Sequence, residues 1–350
     1  MSGGVDSSMA AALLVERGYC VQGLTMHLWQ EPSPQSGEHP AIRYARAVCD
    51  YLGIKHHVID LRDAFLHQIV GEFVREYAQG RTPNPCVRCN RLIKFGLLLD
   101  QARALGCELL ATGHYARILR RDGIYRLLCG VDALKDQSYM LYALGQKELA
   151  SALFPLGEYT KSEVRAMAQR RGLPVADRPE SQDICFLRDR DYRRFLAERL
   201  PEAIRPGPIY DRQGRLLGQH KGLPFYTVGQ REGLGIAASH PLYVLKLDVP
   251  RNALIVGFAE ELGSYQLIAE EMSYVSGKAP PAGCAVEAKI RYRAPRAPAR
   301  AWPLPERRCR VVFEQPLRDI TPGQAVVLYQ GEEVLGGGTI SQSGDEPLSE

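Results

Sequence analysis

The segment Ser2-Gly3-Gly4-Val5-Asp6-Ser7-Ser8 runs directly into Met9-Ala10-Ala11-Ala12-Leu13-Leu14-Val15, and the reading of this junction decides the fold. The apolar run reads as a helix over 9–17, stopped by Gly18. Two glycines let the backbone approach an anion closely, and the helix-opening amides, the helix dipole and the serine hydroxyls can then hold phosphate. The loop is no Walker A, because it lacks Gly-Lys-Ser/Thr. The plain alternative is a glycine turn with serine caps. A loop of this type normally joins a buried strand to its helix, yet Met1 stands only one residue ahead of it. The expectation is therefore a first strand missing at the N-terminus, about six to ten apolar residues ahead of Met1.

Working outward, strand signals over 21–26, 57–61 and 108–112 alternate with helix signals over 41–52, 64–77 and 91–105. That alternation predicts an α/β fold with a parallel sheet covered by helices on both faces. Thr160 is placed to cap a helix over 160–171, and a further helix is expected over 191–200. After Pro201 the pattern changes to short β runs at 242–247, 285–292, 309–313 and 325–329, separated by Gly/Pro turns. Such runs predict small, barrel-like β domains. The expected division is 1–200, 201–265 and 266–345.

A chain of 350 residues accommodates two or three such domains. With 24% charged and 45% hydrophobic residues, 33 Gly and 23 Pro, the composition is neither disordered nor of low complexity. The seven apolar residues over 9–15 fall far short of a membrane span, and no basic-then-apolar leader opens the sequence. A cytoplasmic protein is expected. Net charge is only +4, but 278–310 holds nine basic residues against Glu287 and Glu306. This reads either as a face for a polyanion or as a solvated Arg-rich surface.

Nine cysteines at scattered spacing do not resemble a disulfide framework. Cys86 and Cys89 stand out in Gly80-Arg81-Thr82-Pro83-Asn84-Pro85-Cys86-Val87-Arg88-Cys89-Asn90, a loop expected to end at a helix start. Near a helix N-terminus, Arg88 and Arg91, their thiols are expected to have lowered pKa values. Half of a zinc site is the alternative, but the chain has no second CxxC and no HxxxH. Cys185, in Ser181-Gln182-Asp183-Ile184-Cys185-Phe186-Leu187, reads alone as a buried thiol. That reading changes once a second reactive cysteine is required.

Residues 2–7 match SGGxDS, the motif of the PP-loop ATP pyrophosphatases. Further blocks are GLTMHLW at 23–29, GRTPNPCVRCN at 80–90, ATGHYA at 111–116, KDQSYML at 135–141 and SQDICFL at 181–187. In the β half they are YTVGQREGLGI at 226–236, KIRYR at 289–293 and TPGQAVV at 321–327. Over nearly its whole length the chain resembles the tRNA-specific 2-thiouridylases of the MnmA type. The resemblance implies a PP-loop domain (adenine nucleotide alpha hydrolase-like), a small central domain and a C-terminal β-barrel. It also implies ATP-dependent 2-thiolation of the wobble uridine in tRNAs for Lys, Glu and Gln, without a membrane.

By that resemblance Ser2, Gly3, Gly4, Val5, Asp6 and Ser7 hold the ATP pyrophosphate, with Mg2+ arriving alongside ATP, and Met26 and Gly113 meet the adenosine. Cys89 is the nucleophile, and Cys185 carries a persulfide supplied by a sulfur-relay donor protein. Asn84, Pro85 and Cys86 line the target base, while His114, Lys135, Asp136, Gln137, Arg291, Tyr292 and Gln324 contact tRNA. Many relatives have Asp at the position of Cys86. The extra thiol is expected to shuttle sulfur or form a resting disulfide, or else Cys86, Cys89 and Cys185 hold an iron–sulfur cluster. Two competing functions are another PP-loop enzyme, such as a lysidine synthetase or amidating ligase, and a non-catalytic RNA-binding module.

Overall fold

The computed structural model describes residues 1–29, 38–179, 184–187 and 191–344. Gly3 and Gly4 lead into the helix Val5–Glu16, which starts ahead of the apolar run. Its buried Met9 and Leu13 pack on Val164, Met167 and Ala168 of the helix Lys161–Arg170. That second helix starts on a reciprocal cap. The Glu163 N–H donates to Thr160 Oγ1 at 3.3 Å, and the Thr160 N–H donates to the Glu163 carboxylate at 2.7 Å.

Strands β1 (Gln22–His27) and β2 (Lys55–Asp60) run parallel, joined by the helix Pro40–Leu52. Strand β3 (Leu110–Ala111) precedes an antiparallel hairpin of β4 (Ala116–Arg121) and β5 (Ile124–Cys129), after which β6 (Ala152–Leu153) pairs in parallel with β3. The parallel sheet is thus present as two two-stranded pieces. β1 and β3 line a common cavity of about 840 Å³, and among the described residues no strand lies between them. Each ladder stops at that edge.

The helix bearing the paired cysteines corrects an expectation. It begins at Pro85, six residues before Arg91, so Cys86 and Cys89 lie on the helical segment Pro85–Cys89. Asn84 caps it, accepting the Val87 N–H at 3.4 Å, and Pro85 occupies the first turn, where a missing N–H costs nothing. The π-helical stretch Asn90–Leu98 and the helix Leu99–Ala104 continue it.

In the second half, β7 (Gly207–Asp211), β8 (Leu216–His220), β9 (Tyr243–Asp248) and β10 (Ala253–Gly257) form a sheet in the order β8-β7-β10-β9 around Ile209, Val244, Leu254 and Val256. Strands β11 (Ser264–Tyr274), β12 (Cys284–Lys289), β13 (Ala297–Leu304), β14 (Arg308–Leu317), β15 (Ala325–Gln330) and β16 (Glu333–Gly344) follow the order β11-β14-β13-β12-β15-β16. β11 pairs back onto β16, closing a six-stranded barrel over Leu267, Val311, Phe313 and Ile340. Closure removes the free sheet edges. The hairpin β4–β5 adds to it, with Glu333 opposite Leu128 and Val334 opposite Leu127.

The basic stretch over 278–310 is largely engaged within the fold. Arg296 lies 3.8 Å over the Tyr329 ring and donates to Cys129 Sγ at 2.6 Å, which fastens the barrel to the first domain. Arg300, Arg307 and Arg310 donate to Gly283 O, Met272 O and Gln266 Oε1. Lys278 and Arg293 stay exposed. Among the described residues no helix is long and apolar enough to cross a membrane.

Replacing Thr160 with Ala removes the cap acceptor of the helix beneath the glycine loop, while Ser keeps it. Urea unfolding is expected to show Thr160→Ala less stable by about 1 kcal/mol, with Thr160→Ser close to the parent. Equal midpoints for all three proteins would contradict the cap assignment.

Candidate active site

The glycine loop is held from several directions. The Ser2 and Ser7 hydroxyls meet at 3.0 Å, the Ser2 N–H donates to Ser7 Oγ at 3.1 Å, and Ser8 Oγ donates to Gly4 O at 2.8 Å. Gly3 has a positive φ of 71°, and a Cβ there would lie 2.6 Å from Ala41 O, so only glycine fits. Arg178 donates to Gly3 O while its guanidinium covers the Tyr44 ring at 3.8 Å. Val5 is buried and anchors the helix start. Asp6 accepts from Lys161 Nζ at 2.6 Å and from the Tyr115 hydroxyl at 2.8 Å.

The sequence reading missed Arg178, Lys161 and Tyr115. For Lys161 a signal existed: a cation in the first turn of a helix opposes the dipole and calls for an anionic partner. Gly113 crosses the loop so closely that a Cβ would lie 2.7 Å from the Asp6 carbonyl carbon and 2.8 Å from Ser7 N. Ser2, Asp6, Ser7, Met26 and Gly113 all line the cavity between β1 and β3, and so does Cys185.

Cys185 is followed by Phe186, whose ring meets Phe73 at 5.2 Å, Phe195 at 5.2 Å and Phe65 at 5.8 Å. Phe186 and Leu187 share one hydrophobic core with Cys89. Cys89 is buried, while Cys86 and Cys185 keep exposed surface, that of Cys185 on the cavity, with protein packed around the rest. Cys185 feels the charges of both other thiols.

Burial pushes the Cys89 thiol up to about 11, and burial with the two neighbouring sulfurs pushes Cys185 up to about 12. Cys86 is raised by burial too. The expectation of lowered thiol pKa values is therefore corrected. Desolvation outweighs the helix terminus, and Arg88 turns away, donating to Gln68 O at 2.9 Å and facing Glu72 at 3.9 Å. Arg91 is exposed.

The cluster expectation is corrected as well. Among the described residues no three of His, Cys, Asp and Glu gather around a point that could hold a metal ion, so Cys86, Cys89 and Cys185 do not fit an iron–sulfur cluster. All nine cysteines are free thiols in this structure.

Several residues expected at the RNA surface already carry internal bonds. Gln324 Nε2 donates to Thr82 O at 2.8 Å and Pro83 O at 3.3 Å, the Thr82 N–H donates to Pro322 O at 2.8 Å, and Thr82 Oγ1 donates to Thr227 Oγ1 at 3.1 Å. Barrel and central sheet thus grip the turn that presents Asn84, whose Nδ2 reaches Met140 Sδ at 3.8 Å. Arg291 donates to Val228 O at 3.0 Å and to Thr321 Oγ1. Asp136 is buried and accepts from Gly130 N, Ser138 N and Ser138 Oγ at 3.0, 3.1 and 2.9 Å. Gln137 accepts the Tyr115 N–H at 3.1 Å and reaches the cavity.

His114 is buried with Nδ1 at 2.7 Å from Thr112 Oγ1, and burial holds its pKa well below the usual value, which keeps it neutral. Lys135 is half-buried. So is Tyr292, whose ring meets Tyr139 at 6.1 Å under Lys289.

Residues 1–189 match the family model described as the tRNA methyl transferase HUP domain, 193–258 the tRNA methyl transferase PRC-barrel domain, and 264–340 the Aminomethyltransferase beta-barrel domain. The chain is 52% identical over 363 residues to the tRNA-specific 2-thiouridylase MnmA of Roseiflexus castenholzii, covering 98% of each chain. It is 53% identical over 348 residues to that of Moorella thermoacetica, covering 97% of this chain and 98% of the relative. For Heliobacterium modesticaldum the identity is 48% over 359 residues, with 100% and 93% covered.

Two outcomes follow from this geometry. Gly113→Ala forces the loop and the end of β3 apart, and calorimetry is expected to show ATP binding weakened at least about tenfold with the fold retained; unchanged affinity would contradict the close crossing. Because Cys89 and Cys185 titrate above neutrality, their alkylation by iodoacetamide is expected to quicken about tenfold per pH unit from pH 7 to 10. A plateau already reached at pH 8 would show acidic thiols instead.

Proposed function

The chain belongs to the family of tRNA-specific 2-thiouridylases, and on that premise we propose that Cys185 and Cys89 pass sulfur to C2 of a wobble uridine in tRNAs for Lys, Glu and Gln. It is an ATP-dependent tRNA-uridine 2-sulfurtransferase. The observation that carries the assignment of residues is that Cys185 lines one cavity with the glycine loop, Met26 and Gly113. The family models carry methyltransferase descriptions, but two thiols beside a phosphate loop suit sulfur transfer. Neither a lysidine synthetase nor an amidating ligase needs such a pair.

In this reading ATP enters with its terminal phosphates, and the Mg2+ they bring, on residues 2–7, and its adenosine along Met26 and Gly113. The base, turned out of its stack, is bounded by Asn84, Pro85 and Cys86. Its C2 oxygen attacks the α-phosphorus. Pyrophosphate departs with the P–O electron pair, leaving AMP on O2 and making C2 electrophilic. The amides opening Val5–Glu16 and the serine hydroxyls stabilise the departing charge.

A donor protein has meanwhile loaded Cys185 as a persulfide. The outer sulfur attacks C2, and AMP leaves with the C–O pair. Cys89 then attacks Sγ of Cys185, the S–S pair passes to the sulfur on C2, and 2-thiouridine is released beside a Cys89–Cys185 disulfide. If hydrosulfide is freed before attack on C2, the same disulfide results. A dithiol reductant restores both thiols.

A persulfide is a better nucleophile near neutral pH than the thiol, which burial holds at about 12. Cys86, its thiol also raised, stays protonated and does not act as the general base that an Asp would supply. It is a spare sulfur. We keep the division 1–200, 201–265 and 266–345 as the functional partition, with tRNA contacts shared by Lys135, Tyr292 and the exposed Lys278 and Arg293.

The test is nucleoside mass spectrometry of tRNA incubated with ATP and a persulfide donor. Cys185→Ser is expected to form no 2-thiouridine while releasing pyrophosphate within about threefold of the parent, and Cys86→Asp to keep activity within about threefold. Full thiolation by Cys185→Ser would overturn the assignment.

A further inference from the structure

We infer that Lys94 is a positioning residue for sulfur transfer, its ammonium holding the anionic sulfur of Cys89 and Cys185 inside the cleft. This rests on the sulfur-transfer reading of the same site. Lys94 sits in the π-helical stretch Asn90–Leu98, directly after the turn that carries Cys86 and Cys89. Hydrogen bonding from i to i+5 brings residues five apart toward one face, whereas 3.6 residues per turn swings the fifth residue aside. Cys89 and Lys94 are five apart. The winding therefore turns Lys94 toward the sulfurs, and its neighbours Ile93 and Phe95 are buried and fix that face.

Lys94 lines the same cavity as Cys185, Thr112, Gly113 and His114. Among the described residues no carboxylate pairs with it. Among the described residues, the thiols of Cys86, Cys89 and Cys185 and the His114 imidazole feel its charge. Burial holds the neighbouring His114 imidazole neutral. Arg88, the nearest arginine in sequence, is tied to Gln68 and Glu72.

Lys94 thus supplies the charge that opposes desolvation of all three thiols. In a cleft partly shielded from water an ammonium acts more strongly on an anion than it would in water. It has nothing to offer a neutral thiol. Its effect on the thiols is therefore felt in the sulfur steps.

The experiment uses full-length Lys94→Met, Lys94→Gln and Lys94→Arg, each checked for a native thermal transition. Site-resolved iodoacetamide alkylation at pH 8 is expected to slow about tenfold at Cys89 and Cys185 in the Met and Gln variants, a shift of about one pH unit in the rate profile. Lys94→Arg is expected to restore most of the rate. Single-turnover 2-thiouridine formation should fall in parallel, with pyrophosphate release within about twofold of the parent. Alkylation profiles unchanged in both neutral variants overturn the inference, and so does a loss confined to pyrophosphate release. If the parent itself makes no 2-thiouridine while the alkylation shift is present, the electrostatic role stands and the sulfur-transfer reading fails.

Discussion

Sulfur attacks as an anion, and enclosure by protein removes the water that would stabilise that anion. The cleft meets both sides of this conflict. In the proposed reaction a uridine activated by AMP is kept from water, and desolvation by the surrounding protein raises Cys89 and Cys185 to about 11 and about 12. A persulfide relieves part of the difficulty in that proposed reaction, and the role inferred for Lys94 in its π-helical stretch relieves another part.

The remainder of the molecule holds this cleft in shape. The glycine loop is fastened by partners far away in sequence, Arg178 at Gly3 O and Lys161 at Asp6. Thr82 is a meeting point of three bodies: its N–H bonds the barrel at Pro322, its hydroxyl bonds the central sheet at Thr227, and its carbonyl accepts from Gln324. The turn over 82–84 then hands its order directly to the cap of the cysteine helix. The β domains are thus part of the site's scaffold, and the hairpin β4–β5 with the Arg296–Cys129 contact joins the barrel to the first domain.

Local chemistry explains what could be read from the sequence. Ser2-Gly3-Gly4 announced the loop, Thr160 announced a capped helix, and the switch to short β runs after Pro201 announced the barrel. Asn84-Pro85 was read as a loop although the pair is also a cap followed by a first-turn proline, and so the cysteine helix was started too late. The predicted thiol acidity failed for a longer-range reason. Arg88 is a neighbour in sequence but points to Gln68 and Glu72, and burial, a property of the assembled core, dominates. The arginines over 278–310 read equally as a polyanion face or a solvated surface, yet tertiary contacts engage most of them. The single parallel sheet implied by alternation is divided at the cavity.

The most direct measurement is a non-reducing peptide map by mass spectrometry after one turnover, with persulfide-loaded enzyme, ATP and an anticodon stem–loop in the absence of reductant. The account predicts one Cys89–Cys185 cross-linked peptide for each 2-thiouridine formed, and none when ATP is omitted. Full 2-thiouridine with both peptides recovered as free thiols would contradict it.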